Sequence, residues 1–334
     1  MSSLPWIAFL LLVLFLLGLD LGLLHRRPRA ISAPQALRWT AFWVAIALVW
    51  NAALACMYEY GWFGVGVRYG TRLTGSQAGL QFFTAYLVEE SLSIDNLFVM
   101  ALVFRSFGVP DQLQHRVLFL GILGALIFRA AFIIAGLTLI QLFHWTVYGF
   151  GALLVFTAVR MLFAKEEAPE LRDNMFVRLA QRLIPVTDQY HGERLVVRIG
   201  GKRYATPLVL ALLMIETSDL IFAVDSVPAV LGVTQDPFIA FTSNVFAILG
   251  LRSLYFALAA VLSSFQHLKV SLVLVLGFVG AKMLLTHQLP IGSGTSLLII
   301  AGLLAGGVIS SIVAKRRLDL RTSRAPTAGE QLQE

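Results

Sequence analysis

Glu89, Glu90 and Asp95 stand in the apolar stretch Tyr86-Leu-Val-Glu-Glu-Ser-Leu-Ser-Ile-Asp-Asn-Leu-Phe98. Glu216, Asp219 and Asp225 stand in a second, Met214-Ile-Glu-Thr-Ser-Asp-Leu-Ile-Phe-Ala-Val-Asp-Ser-Val-Pro228. The hydroxyls of Ser91, Ser93, Thr217, Ser218 and Ser226 and the amide of Asn96 lie among these acids. All are hard oxygen donors, the kind that Mg²⁺, Ca²⁺ or Mn²⁺ prefers. Cys56 is the only cysteine, which excludes an intrachain disulfide and any thiolate-rich zinc or iron–sulfur site. The six histidines (His25, His115, His144, His191, His267, His287) fall in loops or near the ends of apolar runs, with no His-x-x-x-His spacing, and read as interfacial side chains. The chemistry these residues offer is the capture of a hard cation by oxygen.

The elements that must position them are set by composition. Of 334 residues, 58% are hydrophobic and 13% charged, and the mean hydropathy is +0.79. A water-soluble domain carries roughly 25% charged residues, so a soluble enzyme, a disordered chain and a nucleic-acid binder are all excluded and the lipid bilayer becomes the solvent. A spanning helix takes about 20 apolar residues. Nine such runs are found, at 4–24, 39–58, 80–104, 117–139, 143–163, 206–230, 236–262, 268–286 and 295–314. The first is followed, not preceded, by the basic cluster Arg26, Arg27, Arg29, so it reads as a retained helix and not as a cleaved signal. Alternate connections then hold twenty Lys and Arg on one side and only Arg68 and Arg72 on the other. By the positive-inside rule the amino end lies outside and the carboxyl end inside. The expected architecture is an all-α polytopic transporter domain over 1–314. A cytoplasmic linker at 164–205, with a short amphipathic helix from Arg172 to Leu183, divides its halves, and a basic disordered tail follows at 315–334. Trp6, Trp39, Trp62 and Trp145 near span ends fit interfacial anchors.

A charged residue at a helix centre costs about 2.5–3.5 kcal/mol on insertion scales, so six unpaired carboxylates would cost on the order of 15–20 kcal/mol. Arg160 and Lys282 lie near span ends where they snorkel. Only Arg129 and Arg252 lie deep, and two cations cannot neutralise six acids; protons, water or a metal cation must supply the rest. The two acidic segments resemble one another, Asp95-Asn-Leu-Phe-Val against Asp219-Leu-Ile-Phe-Ala, each with a Glu just upstream. In the span order they run antiparallel, the mark of an inverted-repeat transporter with its site between the repeats. The repeat units are then helices 3–5 and 6–8. At 100° per residue Glu216 and Asp225 fall on opposite faces of one helix. Either Pro228 bends or unwinds the helix beside Asp225, or one carboxylate of each set faces a different neighbour. Two or three acids from each segment are expected to converge.

At these residues the sequence resembles the TerC family of bacterial integral membrane proteins, named for tellurium resistance. The stretches that carry the resemblance are 89–98, 216–229 and Phe241-Thr-Ser-Asn-Val-Phe-Ala-Ile-Leu-Gly-Leu-Arg-Ser-Leu-Tyr-Phe256, and the likeness covers most of residues 40–312. It implies a manganese exporter related to a wider group of cation exporters, with Glu90, Asp95, Glu216, Asp219 and Asp225 as the metal-binding set. Glu89, where the family often has an aromatic, ranks below Glu90. Ser93, Asn96, Thr217 and Asn244 are candidate additional ligands or supports, and Asn244 serves equally well as an interhelical hydrogen bond. Arg252 reads as a structural counter-ion.

The leading expectation is therefore a transporter and not an enzyme: Mn²⁺ as transported substrate, with Ca²⁺ and Mg²⁺ served by the same ligand types, exported in exchange for protons, with the lipid bilayer and no nucleic acid as partner. Two other classes stay open. One is a non-transporting assembly or stress partner for membrane proteins, in which the acids form a static network. The other is an intramembrane aspartyl protease, although Asp219 follows Glu-Thr-Ser and not the Gly-x-Gly such enzymes carry.

Overall fold

The computed structural model describes residues 4–24, 33–65, 73–163, 185–187, 189–259, 268–288 and 291–322. Among them are nine α-helices: α1 (Leu4–Leu24), α2 (Ala33–Glu59), α3 (Gly75–Phe107), α4 (Asp111–Leu142), α5 (Thr146–Phe163), α6 (Pro207–Val233), α7 (Pro237–Ala259), α8 (Leu268–Leu284) and α9 (Ser293–Thr322). Each apolar run read from the sequence coincides with one of them. By length and apolarity six suffice to cross a membrane, within α2, α4, α5, α6, α7 and α9, while α1 and α8 contribute shorter apolar segments, Leu4–Asp20 and Val270–Leu284. The acid-bearing α3 does not meet those criteria, although its 33 residues are long enough.

Local signals explain the boundaries. Thr74 and Gln77 close a capping box on α3, Thr74 Oγ1 accepting from Gln77 N at 3.3 Å and Thr74 N donating to Gln77 Oε1 at 3.1 Å. Gly108, at φ 66°, ends α3 in the left-handed conformation that glycine adopts without strain. Asp236 caps α7, its Oδ1 accepting from Phe238 N at 2.9 Å.

Three departures from the sequence reading follow. The linker at 164–205 contains a β-hairpin, β1 (Val196–Ile199) paired antiparallel with β2 (Lys202–Ala205). Ile199 faces Lys202 across a two-residue turn, and Gly200 and Gly201 sit at φ 57° and 81°, which the turn requires at both central positions. Second, α9 continues as helix to Thr322, so the first part of the expected tail extends the last span, with Arg, Lys and Leu as good helix formers. Third, α6 is helical straight through Asp225 and Pro228. The expected helix Arg172–Leu183, the loop residues Arg26, Arg27, Arg29, Arg68 and Arg72, the histidines His25 and His267, and the tail beyond residue 322 lie outside the described residues.

The packing order is not the chain order. α3 barely touches α4 and α6 barely touches α7; instead α3 packs on α7 and α4 on α6, while α3 meets α6, α4 meets α7 and α5 meets α8. α5 and α8 approach to backbone contact, since a Cβ on Gly151 would lie 3.0 Å from the Gly280 carbonyl oxygen. One apolar cluster joins α1, α2, α3 and α7 through Phe9, Trp43, Leu54, Phe82, Phe238 and Phe246. Trp6 joins this side by packing edge-on against Phe238 (ring centroids 5.2 Å), whereas Trp62 and Trp145 are exposed. The hairpin segment ties the bundle's end together: Tyr190 donates to the Phe107 carbonyl at 2.8 Å, Arg116 pairs with Glu193 at 2.9 Å, and Thr206 N at the start of α6 donates to the Leu195 carbonyl at 2.9 Å.

α1 is pinned to α7 by an ion pair that the sequence did not announce. Asp20 and Arg252 are both buried and in direct contact, and Arg252 Nη1 also donates to His115 Nε2 at 3.1 Å. The role expected of Arg252, a structural counter-ion, thus has a partner from outside the two acidic motifs. Removing one member of a buried pair leaves the other charge uncompensated, at about 3–5 kcal/mol. Asp20→Asn is expected to destabilise the detergent-solubilised protein by about that amount in thermal or denaturant unfolding, and Asp20→Leu combined with Arg252→Met to restore most of it.

Candidate functional site

The acids of the two motifs meet at α4. Arg129, in the middle of that helix, forms an ion pair with Glu89 of α3, and its Nη2 lies 3.5 Å from Asp219 Oδ1 of α6. All three side chains are buried. Two amides complete the arrangement: Asn96 Nδ2 donates to Asp219 Oδ1 at 2.8 Å, and Asn244 Nδ2 of α7 donates to Glu89 Oε2 at 2.9 Å. A carboxylate only accepts, so each amide must turn its nitrogen to the acid and its oxygen away. The result is a surplus of buried oxygen. Asp219 Oδ2, Asn96 Oδ1 and Asn244 Oδ1 have no hydrogen-bond partner, and neither does Arg129 Nε.

Asp225 lies six residues from Asp219, about 120° round the helix, and faces α5, where Thr157 Oγ1 donates to its Oδ1 at 2.9 Å. With α6 unbroken, the second of the two sequence alternatives holds: the carboxylates of one motif face different neighbours. Asp225 and the half-buried Asp95 line one cavity with Asn96, Thr157, Ser226 and Arg129, among apolar walls that include Leu92, Phe222 and Leu272. A smaller cavity on the far side of Asp219 is bordered by Gly121, Ala125, Ile215 and Arg252. Arg129 and Asp219 thus stand between the two spaces.

The other acids do not join this group. Glu90 points toward α7, where a Cβ on Gly250 would lie 3.8 Å from its Oε1, and its Oε2 is buried without a partner. Glu216 lies against α4 at Gly124, with Oε2 likewise unpartnered. The expected convergence of two or three acids from each motif is not what the helices produce: among the described residues no three His, Cys, Asp or Glu side chains gather closely enough to hold a metal ion. Arg129 holds Glu89 and Asp219 in one cluster, and the helix periodicity sends the remaining acids elsewhere. Ser91, Thr217 and Ser218 donate to carbonyls one turn back on their own helices at 2.5, 2.7 and 2.8 Å, which leaves their oxygen lone pairs available. Ser93 is buried.

Two participants were missed from sequence. Thr157 carries no signal that separates it from any other threonine in an apolar helix. Asp20 does carry one, as the single acid in the run Leu4–Leu24.

A bundle of long apolar helices with carboxylates, amides and a guanidinium buried at its centre is a multi-pass integral membrane protein. The chain belongs to the TerC family of integral membrane proteins, whose family model matches residues 74–319. It is 42% identical over 321 residues to a membrane protein of Myxococcus xanthus, covering 96% of both chains. It is 43% identical over 304 residues to a protein of Escherichia coli K12 named as the membrane-bound redox modulator Alx, covering 91% of this chain and 92% of that one. The Salmonella typhi protein of the same name is 44% identical over 304 residues. No solved structure matches the chain.

Gly124 makes the space that Glu216 fills, since a Cβ there would collide with the Glu216 carboxylate. Overpacking costs about 1–3 kcal/mol, and the low end applies here because the obstructing atoms are the far end of a flexible side chain that can turn aside. Gly124→Ala is expected to lower unfolding stability by that much, and Glu216→Ala in the same chain to recover it, giving a non-additive double-mutant cycle.

Proposed function

We propose that this protein is a divalent metal cation exporter of the cytoplasmic membrane, moving Mn²⁺ on carboxylates supplied by α3 and α6. The observation that carries the reading is the surplus of buried oxygen where the two motifs meet: Asp219 Oδ2, Asn96 Oδ1 and Asn244 Oδ1 stand without partners around Glu89 and Asp219. Unpartnered buried acceptors are costly, and a hard cation is the ligand that oxygen atoms of this kind satisfy together. The cavity bearing Asp95 and Asp225 reaches Asn96 and Arg129 of this cluster and brings two further carboxylates beside it. Glu90 and Glu216, each with one orphaned oxygen, are then stations on the path and not members of a single cage.

The helix contacts support an inverted repeat, the arrangement that alternating access uses. Exchanging α3 with α6, α4 with α7 and α5 with α8 turns the α3–α7 contact into the α6–α4 contact and leaves the α3–α6, α4–α7 and α5–α8 contacts in place. Such an exchange is what a pseudo-two-fold axis between the halves performs. The basic residues of the hairpin, Arg198, Lys202 and Arg203, support a cytoplasmic position for that end of the bundle. The choice of Mn²⁺ and the outward direction rest on the family resemblance, and Ca²⁺ and Mg²⁺ fit the same donors. The name of the Alx relatives points to redox, yet one cysteine gives this chain no dithiol couple of its own. A redox effect would run through the metal.

One observation favours a competing reading. Glu89, Arg129 and Asp219 are already ion-paired, as a static network joining three helices would be. Flux separates the two. In liposomes with a trapped metal-sensitive dye, the wild type is expected to move Mn²⁺, and Asp219→Asn to abolish that flux while remaining folded. A folded wild type that moves none of Mn²⁺, Ca²⁺ and Mg²⁺ establishes the static network and a non-transporting role as a partner of other membrane proteins.

A further inference from the structure

The molecule buries two Arg–carboxylate pairs at depth, and they are built differently. At Asp20–Arg252 neither side chain leaves an orphaned atom, and Arg252 also reaches His115. At Glu89–Arg129–Asp219 the guanidinium leaves Nε without an acceptor, while Asp219 Oδ2, Asn96 Oδ1 and Asn244 Oδ1 lack donors. Buried donors and acceptors thus go unmatched within one cluster. A guanidinium donates only in its plane, in a rigid fork, and this pocket presents oxygen from α3, α6 and α7 together. The first pair has the completeness of a structural tie. The second has an oxygen shell that its cation does not fill.

We infer that Arg129 is a tethered substitute for the transported ion, holding Glu89 and Asp219 when no metal is bound and leaving them when the metal arrives. This rests on the divalent-cation reading of the same site. Charge requires the displacement, since a divalent ion on Glu89 and Asp219 would be repelled by a guanidinium within contact distance in a medium of low polarity. The structure also supplies a destination. Arg129 lines the cavity that holds Asp95 and Asp225, so its head can move off one acid pair toward the other without losing countercharge. It further explains why no three acids gather in a metal-ready cluster among the described residues: Arg129 stands where the ion would. The tethered charge lets the unloaded site change its access, because α3 and α6 are never left with bare carboxylates facing one another.

The test uses the full-length purified protein with Mn²⁺ alone, comparing binding, net efflux from liposomes and Mn²⁺–Mn²⁺ counterflow. If Arg129 occupies the site nine-tenths of the time, removing it tightens apparent Mn²⁺ affinity about tenfold. Arg129→Gln is therefore expected to bind Mn²⁺ about tenfold more tightly, to keep counterflow, and to lose net efflux, since only the empty carrier needs the tethered cation to return. Arg129→Lys, which keeps the charge but cannot bridge both carboxylates with one fork, is expected to restore part of the net efflux that Arg129→Gln loses and still bind Mn²⁺ more tightly than wild type. If Arg129→Gln does not fold, Arg129→Lys decides. Unchanged or weaker Mn²⁺ affinity in the folded variants, or net efflux and counterflow altered in equal measure, overturns the inference while leaving the exporter reading standing. A folded wild type that neither binds nor moves Mn²⁺ overturns both.

Discussion

A carboxylate in a bilayer must have a partner, and the interior of this molecule is organised by where those partners come from. Glu89 on α3 and Asp219 on α6 share Arg129 on α4, and Asn244 on α7 joins through Glu89. Four helices are thereby fixed in register by one guanidinium and two amides. Hydrophobic packing alone sets no such register in lipid, because the tails are as apolar as the leucines they would displace. The small residues then follow from the charges. Gly124 is a glycine because Glu216 needs the room, and Gly121 on the same face of α4 lies against Ile215.

How far the sequence could be read depends on the range of the interaction that decides each feature. The nine helices were legible because apolar run length is a local property, and capping residues such as Thr74 and Asp236 mark their ends. The acids were legible as anomalies, since each is out of place in its own run. Which acid faces which neighbour was not legible. Asp219 and Asp225 lie on one helix six residues apart, and nothing in that spacing says that one meets α4 and the other α5. Glu89 illustrates the limit: the resemblance ranked it below Glu90, whereas the fold puts Glu89 at the centre beside Arg129 and turns Glu90 toward Gly250. Asp20 shows the converse, a residue visible as the lone acid of α1 whose meaning depended on Arg252, 232 positions away. The hairpin was missed because its strands are only four residues long, although the β-branched Val196-Val-Arg-Ile199 before Gly200-Gly201 was a local signal for it.

The site also departs from a picture in which a transporter holds a preformed cage. Its acids are spread over a central cluster, a neighbouring cavity and two outlying carboxylates, and the two cavities beside the Arg129–Asp219 pair share no lining residue. Spreading the charge keeps like-charged carboxylates from crowding together before a cation arrives. A cation that drew these acids together would require side-chain rotation about Arg129 and movement of α3 relative to α6.

That movement has a mechanical boundary condition. Tyr190 holds the last carbonyl of α3, Glu193 holds Arg116 near the start of α4, and Leu195 holds the first turn of α6, all through the short segment that ends in the Gly200-Gly201 turn. The three helices bearing Glu89, Arg129 and Asp219 are therefore fastened together at this end, and α3 and α6 are tied again at the other, where Thr234 Oγ1 donates to Gln81 Oε1 at 2.7 Å. Clasped above and below the buried acids, α3 and α6 form a frame in which Arg129 is the inner rung, and the segment linking the two halves is the clasp that also takes in α4.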